Sequence, residues 1–189
     1  MKITLISTST FPSDQGLRTL SACLERAGHD VLMIFLPLVE DYMRRYKQGE
    51  LDEIWNKAKN SHLVGIGSME STTGRAKQLI DLFQNKGIPI VWGGPHPTFF
   101  PEKCFKMCNL IAVGEAEEAL VELADKVDKN EPIINIKNFW IRKDNIEYKN
   151  PVRPPPNDLD ILAQPDFEIE DQLILERGKL VPFKEHHLG

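Results

Sequence analysis

Gly87-Ile88-Pro89-Ile90-Val91-Trp92-Gly93-Gly94-Pro95-His96-Pro97-Thr98 contains the unit from which the rest of the chain can be read. Upstream, Ala76, Leu79, Ile80 and Phe83 recur at helical spacing through Thr73–Lys86, and Gly87 stands where that helix must stop. Ile88–Trp92 is then an apolar run without polar alternation, which suits a strand covered on both faces. Gly93-Gly94 and the prolines after it open a loop that cannot continue the strand.

The same order of helix, stop and strand repeats outward in both directions. Further apolar runs fall at Ile3–Ile6, Val31–Leu36, Leu63–Ile66 and Leu110–Val113. Leu17, Leu20, Leu24 and Ala27 form one helical stripe that ends at Gly28, and Ala119, Leu120, Leu123 and Val127 form another within Glu115–Lys129. Asp41–Lys59 is also helical in pattern, with a break near Gly49, whereas Pro95–Cys108 has room only for a short helix. Alternation at this spacing predicts an α/β domain: a flavodoxin-like, doubly wound, five-stranded parallel sheet of order 2-1-3-4-5. Its topological switch point lies between the first and third strands, where ligands bind beyond the carboxyl ends.

The pattern changes near residue 130. Phe139–Arg142 and Ile146–Tyr148 flank Lys143-Asp144-Asn145, which predicts a β-hairpin. Pro151, Pro154, Pro155, Pro156 and Pro165 then crowd too closely for helix or central strand. The expected organisation is a Rossmann-like domain over 1–130, a hairpin extension over 131–150, and a proline-rich linker with the start of a further domain over 151–189.

Composition bounds the function. The 189 residues are 41% hydrophobic and 27% charged with net charge −5, an ordinary globular balance. No block of Lys or Arg suggests nucleic-acid binding, and no apolar run approaches a membrane span. The chain opens directly on the strand-like MKITLIS, so no export signal and a cytoplasmic location are expected. Cys23, Cys104 and Cys108 lack the spacing of a disulfide framework. Cys104 and Cys108, four apart, read as core residues sooner than as a metal pair.

Three loops should open at the switch point. The first runs from Ser7 to Gly16 and includes Ser9 and Thr10; the second is Gly67-Ser68-Met69-Glu70-Ser71-Thr72; the third is Gly93-Gly94-Pro95-His96-Pro97-Thr98. A fourth, Gly114-Glu115-Ala116-Glu117, opens on the same edge. They offer hydroxyls, helix-start N–H groups, and glycines that let a ligand approach the backbone. Each also has a plainer reading: Gly-Gly as a tight turn, Ser71 or Thr72 as a helix cap, His96 as a loop residue, His186-His187 as a solvated tail. Neither a dinucleotide fingerprint nor a phosphate-binding Gly-x-x-x-x-Gly-Lys is present, so a binding domain for a large cofactor fits better than a stand-alone enzyme.

The chain resembles the N-terminal cobalamin-binding domain of cobalamin-dependent radical S-adenosylmethionine enzymes. The resemblance rests on Gly16–Leu24 with Ala27-Gly28-His29-Asp30-Val31, on Leu63–Met69, on Gly87–Thr98, and on Val113-Gly114-Glu115-Ala116-Glu117-Glu118-Ala119-Leu120. Asn150–Pro154, Asp158-Leu159-Asp160 and Pro165-Asp166-Phe167 look like that family's bridge to its catalytic barrel. It implies cobalamin at the carboxyl edge, with the nucleotide tail toward the sheet and the corrin toward the C-terminal barrel. The implied cofactor-binding residues are Ser9, Thr10, Gly16, Leu17, Ser68, Met69, Glu70, Ser71, Gly93, Gly94, Pro95, His96, Gly114 and Glu115, with no catalytic residue and no metal ligand on this chain.

Two departures qualify what carries over. Ser13-Asp14-Gln15-Gly16 has no histidine, so no cobalt ligand comes from the first loop. The barrel's three-cysteine cluster motif is missing, since Cys104-x-x-x-Cys108 would need a cysteine where Ile111 stands. The resemblance therefore implies a non-catalytic piece of a larger enzyme that carries a 4Fe-4S cluster and S-adenosylmethionine elsewhere. That parent would be a methyltransferase using methylcobalamin or, alternatively, an oxidative cyclase acting on magnesium-protoporphyrin monomethyl ester. From another class, the chain could be a flavodoxin-like regulatory or interaction domain without a cofactor.

Overall fold

A computed structural model describes residues 1–9, 12–38, 44–154, 162–167 and 171–185. Five strands, β1 (Lys2–Ser7), β2 (Asp30–Phe35), β3 (Leu63–Gly67), β4 (Ile90–Gly93) and β5 (Leu110–Ala112), run parallel in the order β2-β1-β3-β4-β5. Between them lie α1 (Gln15–Arg26), α2 (Gln48–Ala58), α3 (Thr73–Gln84), and the short α4 (Pro95–Phe99) and α5 (Pro101–Phe105). After β5 comes α6 (Glu117–Asp128). Part of the helix expected over Asp41–Lys59 falls outside the described residues, and α2 begins one residue before the expected break at Gly49.

Among the described residues the sheet has nine strands rather than five, because both edges are extended. The expected hairpin, β6 (Phe139–Lys143) and β7 (Ile146–Lys149), adds antiparallel to β5. Its turn places Asp144 at φ 52° and Asn145 at φ 61°, residues that tolerate the left-handed region. The other edge departs from the linker expected over 151–189: β8 (Gln172–Glu176) lies parallel beside β2, and β9 (Lys179–Pro182) folds back on it through Arg177-Gly178. These strands cover the edge that β2 would otherwise leave unpaired. Residues 151–154 carry no regular structure, as their prolines require, while Pro155, Pro156, Asp158-Leu159-Asp160 and His186-His187 lie outside the described residues.

Successive strand residues face opposite sides, giving two cores. Ile6, Val64, Ile66, Trp92 and Ile111 pack beneath α2, α3 and α5, with Phe83 and Phe105 fully enclosed. Leu5, Val91 and Ala112 face α1 and α6, which contribute Leu17, Leu24, Leu120 and Leu123.

Candidate functional site

Parallel register brings the first three loops to one edge, because Ser7 pairs with Gly67 and Gly67 with Gly93. Backbone bonds then tie the loops together. Thr8 N–H donates to Gly67 O at 3.1 Å, Ser68 N–H to Gly93 O at 3.2 Å, and His96 N–H to Ser68 O at 3.2 Å. The buried Thr8 hydroxyl donates to Thr72 Oγ1 at 2.8 Å, and Gly114 N–H to Thr98 Oγ1 at 3.1 Å. Asp14 caps α1 by accepting from Leu17 N–H, while Ser7 Oγ donates to its second oxygen at 2.7 Å.

From this edge a cavity of about 570 Å³ descends along one face of the sheet, within the range of small-molecule and cofactor sites. Leu5, Gly65 and Val91 form its floor, Leu17 and Leu20 of α1 and Leu120 of α6 its walls. Gly65 keeps the floor low: a Cβ there would stand 2.7 Å from Leu5 Cδ2. Gly67 and Gly93 continue the side-chain-free strip to the mouth. Met69 and Phe99, 54% and 75% exposed, form an apolar rim.

Of the residues proposed from sequence, Ser9, Gly16, Leu17, Ser68, Met69, Gly93, Gly94, Pro95, Gly114 and Glu115 line this cavity. Thr10 lies outside the described residues. Glu70 and Ser71 are exposed in the 3₁₀ turn before α3 and do not line it. His96 turns the other way and is 1% exposed, tilted against Trp92 at 5.8 Å and Phe100 at 5.4 Å. Neither of its ring nitrogens has a hydrogen-bond partner among the described residues, and burial, reinforced by Lys103 and opposed by Glu70, lowers its pKa.

Gly94 has a structural task beside any binding one. Its φ is 95°, and a Cβ would stand 2.9 Å from Ser68 O and 3.0 Å from Ser68 N. Ser68 Oγ is itself anchored, accepting from Trp92 Nε1 at 2.8 Å, which leaves its own proton to donate.

The floor and, apart from Leu17, the walls were not among the residues expected from the sequence. Gly65 within a strand was the available signal, since an interior glycine often marks a close approach. Leu20 and Leu120 read only as helix stripe. Glu117, half-buried in the first turn of α6, also lines the cavity, and its carboxyl pKa is raised by burial and by Glu115 and Glu118. The ionisable residues among the described lining are acidic, namely Asp14, Glu115 and Glu117. Such a slot does not suit a dianionic phosphate held by cations. Cys104 and Cys108 are core residues whose thiols burial pushes up to about 11. No group of three or more His, Cys, Asp or Glu among the described residues could hold a metal.

Residues 1–124 match the family model described as "B12 binding domain". A bacteriochlorophyllide d C-8(2)-methyltransferase of Chlorobaculum tepidum is 37% identical over 68 residues, 36% of this chain and 15% of that protein. An uncharacterized methyltransferase of Pyrococcus horikoshii is 27% identical over 112 residues, 57% of this chain and 24% of that protein. Among solved structures, the radical S-adenosylmethionine enzyme OxsB with aqua-cobalamin superposes at TM-score 0.70 and 19% identity, covering 89% of this chain and 24% of that one. The radical S-adenosylmethionine methyltransferase TsrM of Kitasatospora setae, with cobalamin and a [4Fe-4S] cluster, superposes at 0.63 and 18%, covering 81% and 31%. The chain thus spans less than a third of each of these proteins, and the two superpositions show a shared fold. No described helix is long and apolar enough to cross a membrane.

Proposed function

The chain belongs to the B12 binding domain family, and from that premise we propose that it is the cobalamin-holding module of a larger radical S-adenosylmethionine methyltransferase. The observation that carries this reading is the glycine-floored cavity that opens at the carboxyl edge and descends between the sheet and helices α1 and α6. It has the form a long, mostly uncharged tail requires. Gly65, Gly67 and Gly93 leave it free of side chains, and Leu17, Leu20 and Leu120 exclude water from its walls. Ser9 and Ser68 are among its lining residues, the Ser68 hydroxyl being held by Trp92 Nε1. The exposed Met69 and Phe99 give the corrin and the following barrel an apolar surface to cover.

Bound cobalamin supplies a carbon–cobalt bond from which a methyl group can be passed to an acceptor. This chain's residues bind and orient that group; the iron–sulfur cluster and S-adenosylmethionine belong to the remainder of the enzyme. Methyl transfer is favoured over cyclisation because both sequence relatives are named methyltransferases. The cavity favours a cofactor-binding module over a ligand-free interaction domain.

Titration with hydroxocobalamin tests the reading. The corrin absorption bands are expected to shift saturably, and an unchanged spectrum at high micromolar ligand would overturn it. Reconstitution with iron and sulfide is expected to leave the chain without a cluster, since Cys104 and Cys108 are buried in the core. A stoichiometric cluster would contradict that assignment.

A further inference from the structure

Helix α1 has two occupied faces. Leu17 and Leu20 line the cavity, while Arg18 and Ser21, also three apart, face the segment that follows the linker. Arg18 is only 4% exposed. Its guanidinium donates to Asp166 O at 2.9 Å, to Gln172 Oε1 at 2.8 Å and to Pro12 O at 3.3 Å. It also stands 4.7 Å from the ring centroid of Phe35, 5.2 Å from that of Phe167 and 5.5 Å from that of Phe183. The helix backbone joins in: Asp166 N–H donates to Arg18 O at 3.1 Å. One buried cation therefore gathers β2, the loop after β1, the approach to β8, β8 itself and the turn after β9.

We infer that Arg18 is a positioning residue of the cavity, through which the docked β8–β9 hairpin holds α1 and the loop after β1 in the arrangement that accepts the cofactor tail. The inference rests on the function proposed above. Pro12 lies beside Ser13 and Asp14, which line the cavity, and Leu17 adjoins Arg18 in the helix. A guanidinium suits this work because its planar fork serves several carbonyls at once and stacks on aromatic faces. Removing it leaves the carbonyls of Pro12 and Asp166 without that donor, so the loop and α1 lose this tie to the hairpin, which the pairing of β8 with β2 still holds on the sheet. Coupling of this kind is reciprocal: what the hairpin does for the ligand, the ligand does for the hairpin.

Two variants of the full chain test this, Arg18→Met, which keeps much of the side-chain bulk, and Gln172→Leu, which removes one partner without touching α1 or the loop. Each is first checked for native circular dichroism. Two quantities are then measured: hydroxocobalamin affinity, and the rate of tryptic cleavage at the hairpin turn, Arg177 and Lys179, with and without hydroxocobalamin. In the unaltered chain the ligand should slow cleavage. Arg18→Met should speed ligand-free cleavage, lower affinity about tenfold, and abolish most of the ligand's protection. Gln172→Leu should do the same more weakly, and carries the test alone if Arg18→Met does not fold. Faster cleavage with unchanged affinity would make Arg18 a mere tail anchor and overturn the inference. An unaltered chain that binds no hydroxocobalamin would instead overturn the proposed function, and this inference with it.

Discussion

The two faces of the sheet are built from the same strands and have opposite fillings. On one, Ile6, Ile66, Trp92 and Ile111 meet Phe83 and Phe105, and these residues are at most 2% exposed. On the other, neighbouring positions of β1, β3, β4 and β5 carry Leu5, Gly65, Val91, Gly93 and Ala112, and a cavity of about 570 Å³ remains. Since strand residues alternate faces, a one-residue step along β3 or β4 moves from a filled core to an open slot. The backbone and register are shared, so the difference lies in the side chains and in the helices that cover each face. The first face is closed along these strands, whereas the second is packed as tightly away from the slot and leaves the slot for the proposed cofactor.

That division can be broken by exchanging effects between the faces. Phe83→Ala, on the filled side, should cost about 3–5 kcal/mol in urea unfolding, while the folded fraction keeps its hydroxocobalamin affinity. A large loss of affinity at equal occupancy of the native state would show the faces are not independent. Gly94→Val, at the edge where the faces meet, should impair both. Its left-handed φ alone costs on the order of 1–3 kcal/mol, and the contact with the Ser68 backbone adds to that. Unfolding midpoint and affinity would both have to survive for Gly94 to be only a slot residue.

His96 sharpens the comparison through pH. Its pKa in the fold lies below the ordinary value of about 6.5, because burial disfavours the imidazolium. The unfolded chain therefore takes up the proton first. Stability should be complete above about pH 6.5 and fall as pH drops from there through the lowered folded value, by at most about 1.4 kcal/mol per pH unit. His96→Phe should flatten this slope in urea titrations at successive pH values. Because His96 packs on Trp92, on the filled face, hydroxocobalamin affinity at pH 7.5 should not change. If the mutant lost nitrogen superhyperfine splitting from the cobalt(II) spectrum, His96 would be a cobalt ligand and this placement would fail.

The sequence made the filled face and the loops legible, and the slot itself only in outline. Helix stripes ending at Gly28 and Gly87, and runs such as Ile88–Trp92, are local patterns, and they locate the parallel strands within a few residues. Topology then sends the loops to one edge, which is why most of the proposed residues line one cavity. His96, Glu70 and Ser71 do not line that cavity, because a loop's position says nothing of where each side chain turns. His96 is fixed by Trp92 and Phe100, contacts that no local pattern reveals. The cavity floor was missed because its depth depends on Gly65 standing between Leu5 and Val91, residues of three different strands. The β8–β9 hairpin was hidden behind the prolines before it. Its alternation around Arg177-Gly178 is short, and it docks on β2 and Arg18, residues far away in sequence.

Gly65→Val measures the central claim most directly. The new side chain would enter the floor of the slot, where its Cβ meets the movable end of Leu5 and no backbone atom within 4 Å. Valine also favours a strand, so unfolding free energy should stay within about 1 kcal/mol of the unaltered chain. Hydroxocobalamin affinity, read from the corrin absorption bands, should fall more than about tenfold, the equivalent of about 1.4 kcal/mol. A folded Gly65→Val chain that binds hydroxocobalamin as tightly as the unaltered one would place the cofactor elsewhere and contradict the account.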